Sequence, residues 1–211
     1  MPDERLTPRI FGEPYQLLAI DETALDRTHA PTAFSLLELL GIDPPQTDTE
    51  DDVAVVHVEG PLDTRGSWCW DGYDTVEERV REALAREDVR AVVLALDSPG
   101  GMAAGMLDGA RALGRAIEAS GKPCVAWAGT MACSAAYGLA AACDAIVVTE
   151  DGEVGSVGVL ARVVDRTAQN EKQGLNVRVV RSGTLKADPH PDIALTDASV
   201  ARVRARVMEL A

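Results

Sequence analysis

The chain has 211 residues, of which 46% are hydrophobic, 26% charged and only 4% aromatic. That is long enough for one well-buried domain with appendages and too apolar for a disordered chain, and the core must be built from Ala, Val and Leu. Against 20 basic residues stand 34 acidic ones, a net charge of −14, which argues against nucleic acid or an anionic membrane as partner.

Residues 1–43 read as a preface. In it Phe34–Gly41 forms a short amphipathic helix with a glycine stop. Residues 44–52 are acidic and proline-rich, the composition of an exposed linker. Leu36, Leu37, Leu39 and Leu40 carry more apolar surface than so short a helix can hide, and the linker lets it reach a neighbouring subunit. A homo-oligomer is therefore expected.

The main domain spans 53–211 and alternates strands with helices. Val53–Val58 is a buried-strand run. Val76, Val80 and Leu84 lie at helical spacing over 74–86, with Asp74 as N-cap and Glu77 completing a capping box. Ala91–Leu96 is a strand, 102–119 a helix, Cys124–Trp127 a strand, Ala128–Cys133 a turn, and Ser134–Cys143 a helix. Ala145–Val148 is a strand, and Gly152–Val159 a glycine-studded turn entering a short strand. Residues 164–173 follow as helix, Val177–Val180 as strand, and 197–211 as helix. This order predicts an α/β fold with a mostly parallel sheet covered on both faces.

Met1–Arg5 shows no basic region leading into an apolar run, so neither a secretory leader nor a membrane anchor is expected. The uncharged stretch Pro123–Cys143 is about as long as a membrane span, but its small residues and internal Gly129 and Gly138 fit a buried strand, turn and helix better. Cys124, Cys133 and Cys143 sit among small apolar residues, where cysteine serves as a small hydrophobe, and with Cys69 they form no Cys-x-x-Cys pair. His29, His57 and His190 are scattered without ligand spacing. The expectation is a cytoplasmic protein in a reducing compartment, without metal or cofactor.

Three places could carry chemistry. Asp97-Ser98-Pro99-Gly100-Gly101 follows a buried strand and presents backbone N–H groups with no side chain in the way; it is either a tight turn or an anion or oxyanion site. Its adjacent glycines do not fit a dinucleotide fingerprint. Ser134 stands where a strand hands over to a helix, as an N-cap or as a nucleophile. A nucleophilic serine needs a base, and the histidines are poorly placed: His190 is wedged between Pro189 and Pro191, and His57 lies in an early strand. A neutral lysine is the main alternative, and the lysines are Lys122, Lys172 and Lys186. Lys122 falls at a strand's N-terminal edge and Lys172 at a solvated helix end. Lys186 follows a predicted strand between Leu185 and Ala187, apolar neighbours that could desolvate it into the neutral form a base requires.

In order, Leu96-Asp97-Ser98-Pro99-Gly100-Gly101, Ala132-Cys133-Ser134-Ala135-Ala136-Tyr137, Val154-Gly155-Ser156-Val157-Gly158-Val159 and Ser182-Gly183-Thr184-Leu185-Lys186 resemble the motifs of the signal peptide peptidase A (protease IV) family. Those are Ser–Lys peptidases of the Clp/crotonase superfamily. The resemblance covers residues 53 to about 200, and the Ser134-to-Lys186 separation agrees with it. It implies a Clp/crotonase-like fold of repeated β-β-α units. It makes Ser134 the nucleophile, Lys186 the general base and Ser156 the residue orienting the lysine amine. The N–H groups of Gly101 (or Gly100) and Ala135 become the oxyanion hole. Ring or dome assembly is implied too, with the lysine in some relatives supplied by an adjacent protomer.

The preface, with Phe11–Asp21, resembles the lead-in of tailed-phage prohead (capsid maturation) proteases of this family, implying a serine endopeptidase acting on scaffold or capsid proteins inside the prohead. A degradative signal-peptide-peptidase-like enzyme, a catalytically silent assembly protein of the same fold and a crotonase-type acyl-CoA enzyme are the alternatives. Members of the family continue beyond the position of the last helix, whereas this sequence stops at Met208–Ala211, so a truncated, processed or lost tail is expected.

Overall fold

The computed structural model describes residues 17–20, 47–67 and 70–211. In chain order the strands are β1 (Leu17–Ile20), β2 (Thr47–Glu50), β3 (Val53–Glu59), β4 (Ala91–Ser98), β5 (Gly100–Met102), β6 (Cys124–Cys133), β7 (Ala145–Val148), β8 (Glu153–Gly155) and β9 (Leu160–Ala161). The helices are α1 (Tyr73–Ala85), α2 (Met106–Ser120), α3 (Ala135–Ala140), α4 (Thr167–Lys172) and α5 (Asp197–Leu210). The described residues form two compact units: those within Ala19–Gly158, and Val159–Ala211 with Leu17 and Leu18. The predicted preface helix at Phe34–Gly41 lies outside the described residues.

The larger unit is built on a sheet ordered β2-β3-β4-β6-β7, with β8 beside β6. Every pairing is parallel except that of β2 with β3. The β-branched run of β3 suits a pleated, packed surface, and its alternate residues Ala54, Val56 and Val58 are fully buried. In register, Val56, Leu94 and Ala126 form one row of the core. Helices α1, α2 and α3 cover this face, burying Val76, Val80, Leu84, Leu113, Ile117 and Leu139. Each buried Val or Leu contributes about 1.5–3 kcal/mol. β2-β3-α1 and β4-β5-α2 are successive β-β-α units.

Four expectations need correction here. Residues 47–50, read as linker, pair antiparallel with β3. The N-cap of α1 is Gly72, not Asp74. Thr75 Oγ1 accepts from Gly72 N at 2.9 Å, and a Cβ at Gly72 would sit 1.9 Å from Gly66 N, so only glycine fits. Asp74 lies in the first turn, where its Oδ1 accepts from Gly66 N at 2.9 Å. The helix expected at 102–119 starts at Met106, because residues 100–102 form β5 and Gly105 turns at φ 84°. Finally, within the larger unit the described helices lie on one face of the sheet; on the other, Trp127 is 44% and its register partner Val147 51% exposed.

In the smaller unit β9 pairs antiparallel with β1, Leu17 opposite Ala161 and Leu18 opposite Leu160. Helix α5 packs against β9 and buries Ser199 and Val203. Its N-cap is Thr196, whose Oγ1 accepts from Ser199 N at 3.1 Å. The strand expected at 177–180 is irregular chain instead. Val180 is 97% exposed, and no described strand lies beside the segment to complete a ladder.

Candidate active site

Strand β6 does not stop at Trp127. It runs on through the predicted turn to Cys133, held by the pairs Ser98↔Ala132 on one side and Cys133↔Gly155 on the other. Ser134 is the next residue. Its N–H donates to Gly155 O at 2.6 Å, and its backbone turns at φ 52°, ψ −114°, a region that L-residues avoid. Holding a non-glycine residue there costs about 1–3 kcal/mol. Ser134 does precede α3, but its hydroxyl makes no capping hydrogen bond. The side chain is thus left over by the fold: 7% exposed, at the carboxyl edge of the sheet, with the Ala135 N–H next to it at the helix start.

The glycine strand β5 packs against α3. Gly100 turns at φ 100°, and its N–H donates to Ser98 Oγ at 3.2 Å. Leu62 N donates to Gly100 O and Met102 N to Leu62 O, both at 2.9 Å. Since groups alternate along a strand, the Gly101 N–H faces away from Leu62. On that other side β5 neighbours β1 in the sheet order β5-β1-β9. Gly101 is irreplaceable for packing, because a Cβ there would lie 1.8 Å from Leu62 O. Tyr73 braces the strand by donating its hydroxyl to Met102 O at 2.5 Å. Burial, and then Asp63, push its phenol well above the ordinary range. Neither Leu62 nor Tyr73 stood out in the sequence, though Tyr73 continues the Val76–Val80–Leu84 stripe one turn back.

Ser156 follows Gly155, the carbonyl partner of Ser134 N, and also has positive φ, 51°. It is exposed. The larger unit thus gathers Ser134, Ala135, Ser156 and the glycine strand around the ends of β6 and β8.

Lys186 belongs to the smaller unit. Its N–H closes a turn on Gly183 O at 3.2 Å, and Arg181 Nη1 donates to its carbonyl at 3.4 Å. Among the described residues the expected apolar shielding is absent: Lys186 is exposed and Leu185 is 61% exposed. Downstream, Asp188 accepts from Ser199 Oγ at 2.5 Å and forms an ion pair with Arg202. The hydrogen bond from Ser199 and then the charge of Arg202 hold its carboxyl below the ordinary range.

The other titratable candidates are occupied structurally. His57 Nε2 meets Asp48 Oδ2 at 3.1 Å; His57 is level with Trp127 in the sheet, far along β6 from Ser134. His190 Nδ1 accepts from Asp192 N at 3.1 Å. Lys122 Nζ donates to Arg86 O at 2.6 Å. Cys124 and Cys133 are buried as the sequence suggested. Cys124 and Cys143 sulfurs lie 3.6 Å apart as free thiols, and that hydrogen bond, with burial, pushes the Cys143 thiol far up.

The larger unit thus places a buried serine on a strained strand-to-helix turn at the carboxyl edge of a mostly parallel sheet. Residues 116–210, which hold Ser134, Ser156 and Lys186, match Peptidase family S49. The capsid assembly protease C of Escherichia phage lambda is 33% identical over 187 residues, 84% of this chain and 42% of that protein. The head-tail preconnector protein GP5 of Enterobacteria phage P21 is 38% identical over 117 residues, 56% of this chain and 23% of that one. Protease 4 of Salmonella typhi is 31% identical over 155 residues, 72% and 24%. Residues 116–210 are thus a peptidase family S49 region, and the chain spans less than half the length of these relatives. Among solved structures, the 1510-N membrane-bound stomatin-specific protease aligns at TM-score 0.39 and 20% identity over 52% of this chain and 46% of that one.

Proposed function

We propose that the chain is a serine endopeptidase with Ser134 as nucleophile and Lys186 as general base. The observation that carries this is the Ser134 backbone at φ 52°, ψ −114°, with a hydroxyl that caps nothing. In the reaction the neutral Lys186 amine takes the Ser134 Oγ proton as Oγ adds to the scissile carbonyl carbon. The N–H groups of Gly101 and Ala135 receive the developing oxyanion; one such donor is worth about 3–4 kcal/mol. The ammonium then protonates the leaving amine, and water, deprotonated by the same lysine, releases the acyl group. Ser156 orients the lysine amine by hydrogen bonding.

The substrate proposed is a phage or prophage head protein, scaffold or capsid, cleaved in the prohead. Support comes from the lambda relative, whose name is capsid assembly protease and whose likeness runs over 84% of this chain. Among the described residues no helix is long and apolar enough to cross a membrane.

Assembly into a closed homo-oligomer is part of the same proposal. Val180 and Leu185, on the segment that carries Lys186, expose apolar surface that a second subunit or bound substrate would cover, desolvating the amine. Hydrolysis of fluorescein-labelled casein tests the enzyme reading: Ser134→Ala should be inactive, and wild-type turnover in that variant would overturn it.

A further inference from the structure

Lys186 sits in a turn with little to hold it. The turn's internal bonds are Gly183 O to Lys186 N and a long one from Arg181, and the next residue, Ala187, has a positive φ of 60°. The position of a long, exposed side chain on such a turn depends on what anchors the chain either side. Downstream, Asp192 is tied to Asn170 at 2.8 Å, Pro191 O to Arg166 N at 2.7 Å and Leu195 N to Asp165 at 2.9 Å, all several residues away. The first anchor beyond Lys186 is Asp188.

That anchor is built from the start of α5. Ser199 and Arg202 are three apart, on one face of the helix. Ser199 is 3% exposed and gives its one hydroxyl proton to Asp188 Oδ1, so the 2.8 Å contact between Thr196 Oγ1 and Ser199 Oγ must have Thr196 as donor. The result is a directed chain, Thr196 to Ser199 to Asp188, with Arg202 on the second carboxylate oxygen. Pro189, buried, follows at once and restricts the backbone. Arg181, on the other flank of the turn, also bears on the Asp188 charge.

We propose that Asp188 is a positioning residue for Lys186, tethering the turn that carries the amine to the first turns of α5 through Ser199 and Arg202. This rests on the proposal that Lys186 is the base. Asp188 itself takes no proton in the reaction. It fixes where the amine is presented, and a misplacement of about 1 Å can cost on the order of a hundredfold in rate.

The test is the rate of Ser134 labelling by a fluorophosphonate, followed by intact mass. It is measured on the full chain for wild type, Asp188→Asn, Lys186→Met and the double variant, with thermal unfolding of each. Asp188→Asn should remain folded and lose at least about tenfold in the limiting labelling rate, with the half-saturating probe concentration unchanged. In the Lys186→Met background it should cost nothing further, which a general loosening of the structure would not reproduce. Wild-type labelling by folded Asp188→Asn, or an equal loss in both backgrounds, overturns the inference. Should Asp188→Asn fail to fold, Ser199→Ala with Arg202→Met removes the same tether from the helix side and is scored identically. Wild-type labelling by Lys186→Met would instead remove the base, and with it the reason for the tether.

Discussion

Ser134 and Ser156 leave two parallel strands one residue past the same register pair, Cys133↔Gly155, and both turn through positive φ, 52° and 51°. The Ser134 N–H to Gly155 O bond of 2.6 Å locks the two exits together. The proposed nucleophile and the residue proposed to orient its base are thereby positioned by backbone alone. This coupling makes the geometry insensitive to the surface around it and sensitive to the strands beneath.

Strain at Ser134 gives a stability prediction that runs against activity. Ser134→Gly frees a conformation that only glycine adopts without cost, so it should raise stability by about 1 kcal/mol while abolishing hydrolysis. Denaturant midpoints and casein turnover on the same preparation check both signs.

Gly101→Ala should fail in the opposite way. Its Cβ has no room beside the Leu62 carbonyl, and overpacking of this kind costs about 1–3 kcal/mol. The displaced strand would also misalign the Gly101 N–H. Loss of activity in a chain that urea melts still show to be folded is the expected outcome; a fully active Gly101→Ala would remove Gly101 from the oxyanion hole.

In the core, Leu94 is fully buried in the row Val56–Leu94–Ala126. Leu94→Ala should cost about 2–5 kcal/mol, depending on how far helices α1 and α3 settle into the gap. Equilibrium unfolding in urea measures it.

The pH dependence has two separable parts. Asp188 has a folded-state pKa below its unfolded value, so its contribution to stability is fully present above the unfolded carboxylate range near pH 4 and is lost as pH falls through the lower folded value. Asp188→Asn should therefore flatten the acid side of a stability–pH curve. Activity should instead rise towards alkaline pH, because a lysine base works only when neutral. Lys186→Arg keeps a charge that cannot be shed and should be inactive across the range.

How much of this was legible in the sequence depended on whether the signal was local. Ala91–Leu96 is a continuous apolar run and Val53–Val58 one interrupted only by His57, the pattern of strands in a parallel sheet, and both form strands. The small residues Ala128–Cys133 looked like a turn. They are strand because Ser98 and β8 supply partners from distant parts of the chain, an instance of tertiary pairing overriding propensity. Val177–Val180 failed in reverse: the pattern was right for a strand, but no described strand lies next to it. Ser134 could be singled out from its strand-to-helix setting, whereas its unused hydroxyl needed coordinates. The Asp188–Ser199 contact leaves no periodic trace at all, since a polar pair eleven residues apart obeys no repeat.

The most direct measurement of the central claim is intact mass after treatment with a fluorophosphonate, on wild type, Ser134→Ala and Lys186→Arg, each checked for folding. The account predicts a single adduct on wild type, mapped to Ser134, none on Ser134→Ala, and strongly slowed labelling on Lys186→Arg. An adduct of equal rate on Ser134→Ala, or a folded wild-type chain that takes up no label at any concentration where it assembles, would contradict it.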